Sequence, residues 1–156
     1  SMGWVEPARR TFADLCARAE AAGWGDLPLM GEALLGLGAT LAERGQLREG
    51  LALLERGLAL MRRMGFNALL IPGELERARV CRALGQVAEA QTALASATKV
   101  ARDFAAPFLQ GRIQAARLDL GLDAVGELPS TSTVARYAEV PGRLAWARAA
   151  IRAGRA

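Results

Sequence analysis

The chain has 156 residues, enough for one domain with a real core, and 52% of them are apolar although only 5% are aromatic. It contains no histidine and only two cysteines, so the commonest general base is missing and four zinc ligands cannot be assembled. The net charge of +4 arises from Ala135 onward, where the sequence has five arginines and one glutamate. In the preceding sequence the numbers of basic and acidic residues are equal.

The bulk of the chain is Ala, Leu, Gly and Arg, which apart from Gly are good helix formers. No alternating run of β-branched residues is present, so the sequence predicts an all-α fold. No stretch of about 18 apolar residues occurs, which excludes a predicted membrane span.

Residues 1–2 have the form of an expression-tag scar, and the first predicted helix runs from about Glu6 to Ala22. Pro7 suits its first turn. Apolar residues recur along it at helical spacing: Phe12, Leu15, Cys16 and Ala19. A glycine-rich break follows, and residues 3–27 are interpreted as a capping helix or half of a repeat.

A helix-turn-helix unit then occurs twice, from Gly31 to Leu60 and from Ile71 to Val100. The turns ERGQLREG and ALGQVAEA align, with Gly85 following Gly45 by 40 positions. A fixed period of this length indicates a repeat array. Residues 28–65 are assigned to repeat 1 and residues 66–105 to repeat 2.

Each repeat is predicted to contain two helices. In repeat 1 they span about 28–44 and 47–63. In repeat 2 the first helix ends at 84 and the second spans about 87–104. The start of the helix before Gly85 is open. Asn67 is able to cap an early start, whereas Pro72 suits either a kink or a first turn.

Residues 106–140 are interpreted as a degenerate repeat 3, whose first helix runs from Pro107 to about Leu120, before Gly121. A Ser/Thr-rich loop, 126–133, precedes a short helix at about 134–140. Residues 141–156 are a terminal helix or half repeat with an arginine stripe: Arg148, Arg152 and Arg155. Anionic lipid or nucleic acid suits such a stripe, but a solvated or stacking face is the simpler interpretation.

The first copy resembles a tetratricopeptide repeat. That family has small residues where neighbouring helices approach closely, and Gly38, Gly50 and Gly57 stand at three such positions. Its bulky positions and its turn are matched as well, at Leu34, Leu37, Leu41, Gly45, Leu47 and Leu54. The second copy keeps the pattern at Ala78, Cys81, Gly85, Val87, Ala90, Leu94 and Ala97. It departs at Glu74 and Arg77, where the family has bulky apolar residues.

The resemblance implies one domain, residues 3–156, built as an α-solenoid of antiparallel helix pairs in a right-handed superhelix. Its period is longer than the family's usual period of about 34. Longer repeats resemble the arrays of large bacterial regulators of the LuxR type or associated with adenylate cyclases. The expected role is a non-catalytic, cytoplasmic interaction module of a bacterial signalling or transcriptional regulator. It would bind a peptide, a protein or a neighbouring domain. A small-molecule effector sensor and an assembly element that stacks through terminal repeats are the alternatives.

In such an array the first helix of each pair lines a concave face, and spacings of three and four place ten residues there. They are Glu32, Leu35, Ala39, Glu43, Leu75, Arg79, Arg82, Gln110, Gln114 and Arg117. The arginines suit an acidic peptide, since guanidinium forks bind carboxylates, although a solvated charged face is the plainer alternative. The Lys/Asn/Arg clamp of chaperone-binding family members is missing, because Leu35 and Ala39 occupy two of its positions.

No P-loop, serine elbow or metal motif is present, so no enzyme activity, cofactor or metal is predicted. Neither membrane binding nor direct nucleic-acid binding is expected, while self-association remains open. Cys16 and Cys81 lie in apolar helical patterns and are expected to be reduced, buried thiols. The three tryptophans are expected to fill gaps between helices: Trp4, Trp24 and Trp146.

Overall fold

The computed structural model describes residues 3–65, 67–104 and 107–122, and the regular structure in these ranges is entirely helical. This confirms the all-α prediction for that part of the chain. The elements are α1 (Val5–Ala21), α2 (Pro28–Glu43), α3 (Leu47–Arg63), a 3-10 turn (Asn67–Leu69), α4 (Leu70–Ala83), α5 (Val87–Asp103) and α6 (Pro107–Asp119). The predicted elements of residues 123–156, with Trp146 and the arginine stripe, lie outside the described residues.

The start of α4 is the boundary that the sequence left open. Asn67 begins a single 3-10 turn, and the α-helix begins at Leu70. Pro72 therefore lies in the first turn of α4, where a missing backbone N–H removes no helical hydrogen bond. Of the two alternatives for Pro72, the first-turn position is the one observed.

The two aligned turns have the same geometry. Gly45 and Gly85 have φ angles of +83° and +79°, a region that side chains with a Cβ rarely adopt. After each glycine, the next backbone N–H donates to a carbonyl five residues earlier: Gln46 N to Leu41 O at 3.0 Å and Gln86 N to Cys81 O at 2.9 Å. Both helices thus end in the Schellman motif, which satisfies their last carbonyl groups.

Consecutive helices pack on one another, and α4 also contacts α2 and α6. The backbones of α2 and α3 approach each other closely. A Cβ placed on Gly50 would lie 2.6 Å from the carbonyl oxygen of Gly38, so the two backbones are in contact there. In the second repeat the corresponding positions hold Ala78 and Ala90, both fully buried.

The core of the described helices consists of three clusters of buried residues, and both thiols lie in it. Leu54, Leu58 and Met61 of α3 are fully buried and pack with residues of α2 and α4. Cys16 and Cys81 are unpaired and buried in different clusters, as predicted for buried thiols. Burial raises the pKa of both thiols and so disfavours their reactive thiolate form.

The prediction that tryptophans fill gaps between helices is wrong for the two that the structure describes. Trp4 is 85% exposed and Trp24 is 51% exposed. They flank α1, with Trp4 just before the helix and Trp24 just after its terminal glycine turn.

An ion-pair cluster connects α1 to the end of α2. Glu6 accepts hydrogen bonds from Arg9 and Arg10 on its own helix and from Arg44, whose Nη1 lies 2.6 Å from Oε2 of Glu6. The hydrogen bonds from Arg9 and then Arg10 lower the pKa of Glu6 to about 2. The folded state therefore binds a proton at Glu6 less readily than the unfolded chain does.

This cluster predicts a pH dependence of stability. A carboxylate whose pKa is lowered in the folded state stabilises the fold above its unfolded pKa of about 4.5, and that stabilisation is lost as the pH falls toward 2. Wild type should therefore melt above Glu6→Gln at pH 6, and the gap should close between pH 4.5 and 2. Thermal unfolding of both proteins across this range measures it. A gap that stays constant with pH would contradict the assignment.

Candidate functional site

A groove runs between α2 and α4 and contains a cavity of about 300 Å³. The lining is mainly apolar and comes from α1, α2, α3, the 3-10 turn and α4. It consists of Phe12, Glu32, Leu35, Gly36, Ala39, Leu54, Leu69, Pro72, Gly73 and Glu76. This volume is at the lower end of ligand pockets, which measure roughly 300–1,000 Å³, so the groove has room for a bulky side chain or a small ligand.

Two glycines shape the floor of the groove. A Cβ on Gly36 would lie 2.5 Å from the ring of Phe12, so glycine allows that ring of α1 to lie directly against α2. A Cβ on Gly73 would lie 2.8 Å from Cδ2 of Leu58. Any larger residue at either position would push these neighbours aside, so both glycines are needed for this packing.

Three of the ten predicted concave residues line this cavity: Glu32, Leu35 and Ala39. Leu35 is more buried than predicted, with 9% exposure, because its side chain packs over the small surfaces of Gly57 and Gly73. Leu75 is half-buried and packs against the core cluster of α4, α5 and α6. The face that α4 turns toward the groove carries Gly73 and Glu76 instead.

Arg79 bridges the two helices of the groove. Its Nε lies 3.0 Å from Oε2 of Glu76, and its Nη2 lies 3.0 Å from Oε1 of Glu43 on α2. The hydrogen bond to Glu76 is the main reason that the pKa of Arg79 is raised. The predicted groove residues Glu43 and Arg79 are thus brought together, but as partners of each other.

The remaining predicted residues lie outside the cavity. Arg82 is exposed, and its Nε donates to the backbone oxygen of Leu120 at 3.0 Å, which caps the end of α6. Gln110 and Gln114 are exposed on α6, and Arg117 is half-buried. None of these four belongs to the cavity lining.

The titratable residues of the lining are both acidic. Glu76 is half-buried and paired with Arg79, whereas Glu32 is exposed and has no ion-pair partner among the described residues. The sequence predicts a mixed face, acidic at one end and with Arg79, Arg82 and Arg117 at the other. The cavity has an apolar floor with carboxylates at its edge, and none of these arginines is in its lining. Glu76 is not among the predicted groove residues, although its spacing of three from Arg79 is a typical signal for an ion pair on one helix face.

A buried ion-pair network lies on α4 at the two positions that depart from the repeat pattern. Glu74 is fully buried and accepts hydrogen bonds from Arg77, 2.9 Å from Oε2, and from Ser96, 2.8 Å from Oε1. Arg62 of α3 also pairs with it. Burial lowers the pKa of Arg62, and the neighbouring charge of Arg77 adds to this. Glu74 is therefore a structural ion-pair centre joining α3, α4 and α5.

In the part of the chain that the structure describes, no group of three metal-ligating side chains occurs, and no helix is long and apolar enough to cross a bilayer. Comparisons with protein-family models, with curated proteins and with solved structures find no match to this chain.

Proposed function

We propose that this chain is a non-catalytic interaction module whose groove between α2 and α4 receives an apolar side chain of a peptide or protein. The observation that carries the proposal is the cavity of about 300 Å³ with its apolar floor. Binding sites of this kind combine apolar walls with a few polar groups that orient the ligand, and Glu32 and Glu76 are such groups here.

We further propose that the helices form an α-solenoid of antiparallel, tetratricopeptide-like pairs. Two observations support it: the same Schellman turn recurs at Gly45 and Gly85, and α4 contacts both α2 and α6, the corresponding helices of the neighbouring repeats. In solenoids, the surface formed by such equivalent helices is the usual binding surface. The long repeat period supports a place in a bacterial signalling or transcriptional regulator.

Filling the groove tests the proposed function. Ala39 is half-buried in the lining, so Ala39→Leu should occupy the cavity without removing any contact. Peptides enriched by wild type from a displayed library should lose at least tenfold in affinity for this variant. Ala52→Leu, at an exposed position of α3 outside the lining, is the matched control. Equal affinity of all three proteins would exclude the groove as the binding site.

A small apolar effector is the second candidate, because the cavity volume also suits a small molecule. A compound that binds only the folded state raises the melting temperature, and above its Kd the stabilisation grows with the logarithm of its concentration. Compounds that raise the melting temperature of wild type but not of Ala39→Leu would favour this candidate over a peptide.

A further inference from the structure

We infer that the groove selects a basic peptide segment, in which a cationic side chain lies beside the apolar residue that enters the cavity. This inference rests on the proposed function and names the chemistry of its ligand. It differs from the acidic peptide that the sequence pattern predicts for the same face.

The charges along the groove carry the inference. The groove edges present three carboxylates, Glu32 and Glu43 on α2 and Glu76 on α4, and one cation, Arg79. Their formal sum is therefore −2. Phe12 of α1, Leu54 of α3 and Leu69 of the 3-10 turn add no charge to the lining. A groove with a net negative charge attracts cationic ligands and concentrates them locally.

The arginines on this face are already bound within the molecule. Arg79 holds Glu76 and Glu43, and Arg82 holds the end of α6 through the backbone oxygen of Leu120. An acidic ligand would have to displace these contacts to reach either guanidinium. A cationic ligand meets Glu32, which has no ion-pair partner among the described residues and loses no contact on binding.

The spacing of the carboxylates defines a short peptide. Glu32 and Glu43 are eleven positions apart on α2, which at 1.5 Å per residue is about 16 Å. In an extended chain, residues four positions apart are separated by about 13 Å, and two lysine side chains are long enough to span the remaining few ångström. A central leucine with a lysine two residues away on each side therefore places the leucine over the floor and the lysines toward the two ends.

Two labelled peptides test the inference: Gly-Lys-Ala-Leu-Ala-Lys-Gly and its counterpart with glutamate in place of both lysines. Fluorescence polarisation against the full chain should show at least tenfold tighter binding of the lysine peptide at low salt. The difference should shrink at high salt, because screening weakens exposed charge pairs. Glu32→Lys should weaken the lysine peptide about threefold. Glu89→Lys, at an exposed position of α5, should not.

The outcomes separate the two proposals. Equal binding of both peptides, each lost in Ala39→Leu, would overturn the charge preference and leave the groove as a binding site. Tighter binding of the glutamate peptide would restore the acidic ligand. Failure of both peptides to bind at millimolar concentration would contradict the groove as a peptide site, and the basic ligand with it.

Discussion

Replacing Glu74 with leucine is expected to destabilise the fold by about 3–5 kcal/mol, the cost of leaving a buried charge without its partner. The Arg77 side chain is only 16% exposed, and without Glu74 its nearest carboxylate oxygen is that of Glu55, 3.9 Å from Nε. Arg62 is 45% exposed and is free to turn toward water. Urea unfolding of wild type and Glu74→Leu measures the loss.

The double variant Glu74→Leu/Arg77→Met tests whether the lost stability comes from the unpaired charge of Arg77. Replacing both members of a buried pair by apolar residues of similar volume is often neutral or stabilising. Leu34 and Leu37 occupy the corresponding positions of repeat 1, where Leu34 is 2% exposed. We therefore expect the double variant to regain most of the lost stability. A double variant no more stable than Glu74→Leu would show that the network is needed for the packing of α4.

The second large effect on stability is expected when one methyl group is added at Gly50. Alanine favours a helix over glycine by about 1 kcal/mol, but its Cβ would lie 2.6 Å from the Gly38 oxygen and 3.0 Å from the Ala42 nitrogen. Both neighbours are backbone atoms and cannot move without separating α2 from α3. We expect Gly50→Ala to lose about 2 kcal/mol of stability, within the usual range for overpacking.

Gly25→Ala is the matched control for this prediction, since no atom lies within 4 Å of a Cβ placed there and its φ is not positive. It should change the melting temperature little, while Gly50→Ala should lower it by several degrees. Equal melting temperatures for the two variants would mean that α2 and α3 are farther apart than described.

Helix ends and turns were predictable because each depends on a few local residues. Gly45 and Gly85 have positive φ, and a glycine at the end of an apolar helical pattern is itself the sequence signal for such a turn. The helices on either side begin and end within a residue or two of the predicted bounds. The start of α4 was harder to predict from the sequence, because Asn67 and Pro72 each allow two local structures and packing selects between them.

The buried network could not be derived from local sequence. Glu74 has Arg77 one helical turn away, but Arg62 comes from α3 and Ser96 from α5. Comparison with the repeat pattern shows only that Glu74 replaces a bulky apolar residue, and it does not identify these partners. The groove is a similar case, because the packing of α4 places Leu75 against the core and turns Gly73 and Glu76 toward the groove.

The central claim is that α2 and α4 together form one binding site, and amide chemical-shift mapping tests it most directly. Titration with the lysine peptide should shift amides of the cavity lining in a saturable way, among them Glu32, Ala39, Gly73 and Glu76. Amides on the exposed face of α5, such as Glu89 and Gln91, should not move. Shifts centred on α3 or α5, or no saturable shift at all, would contradict the account.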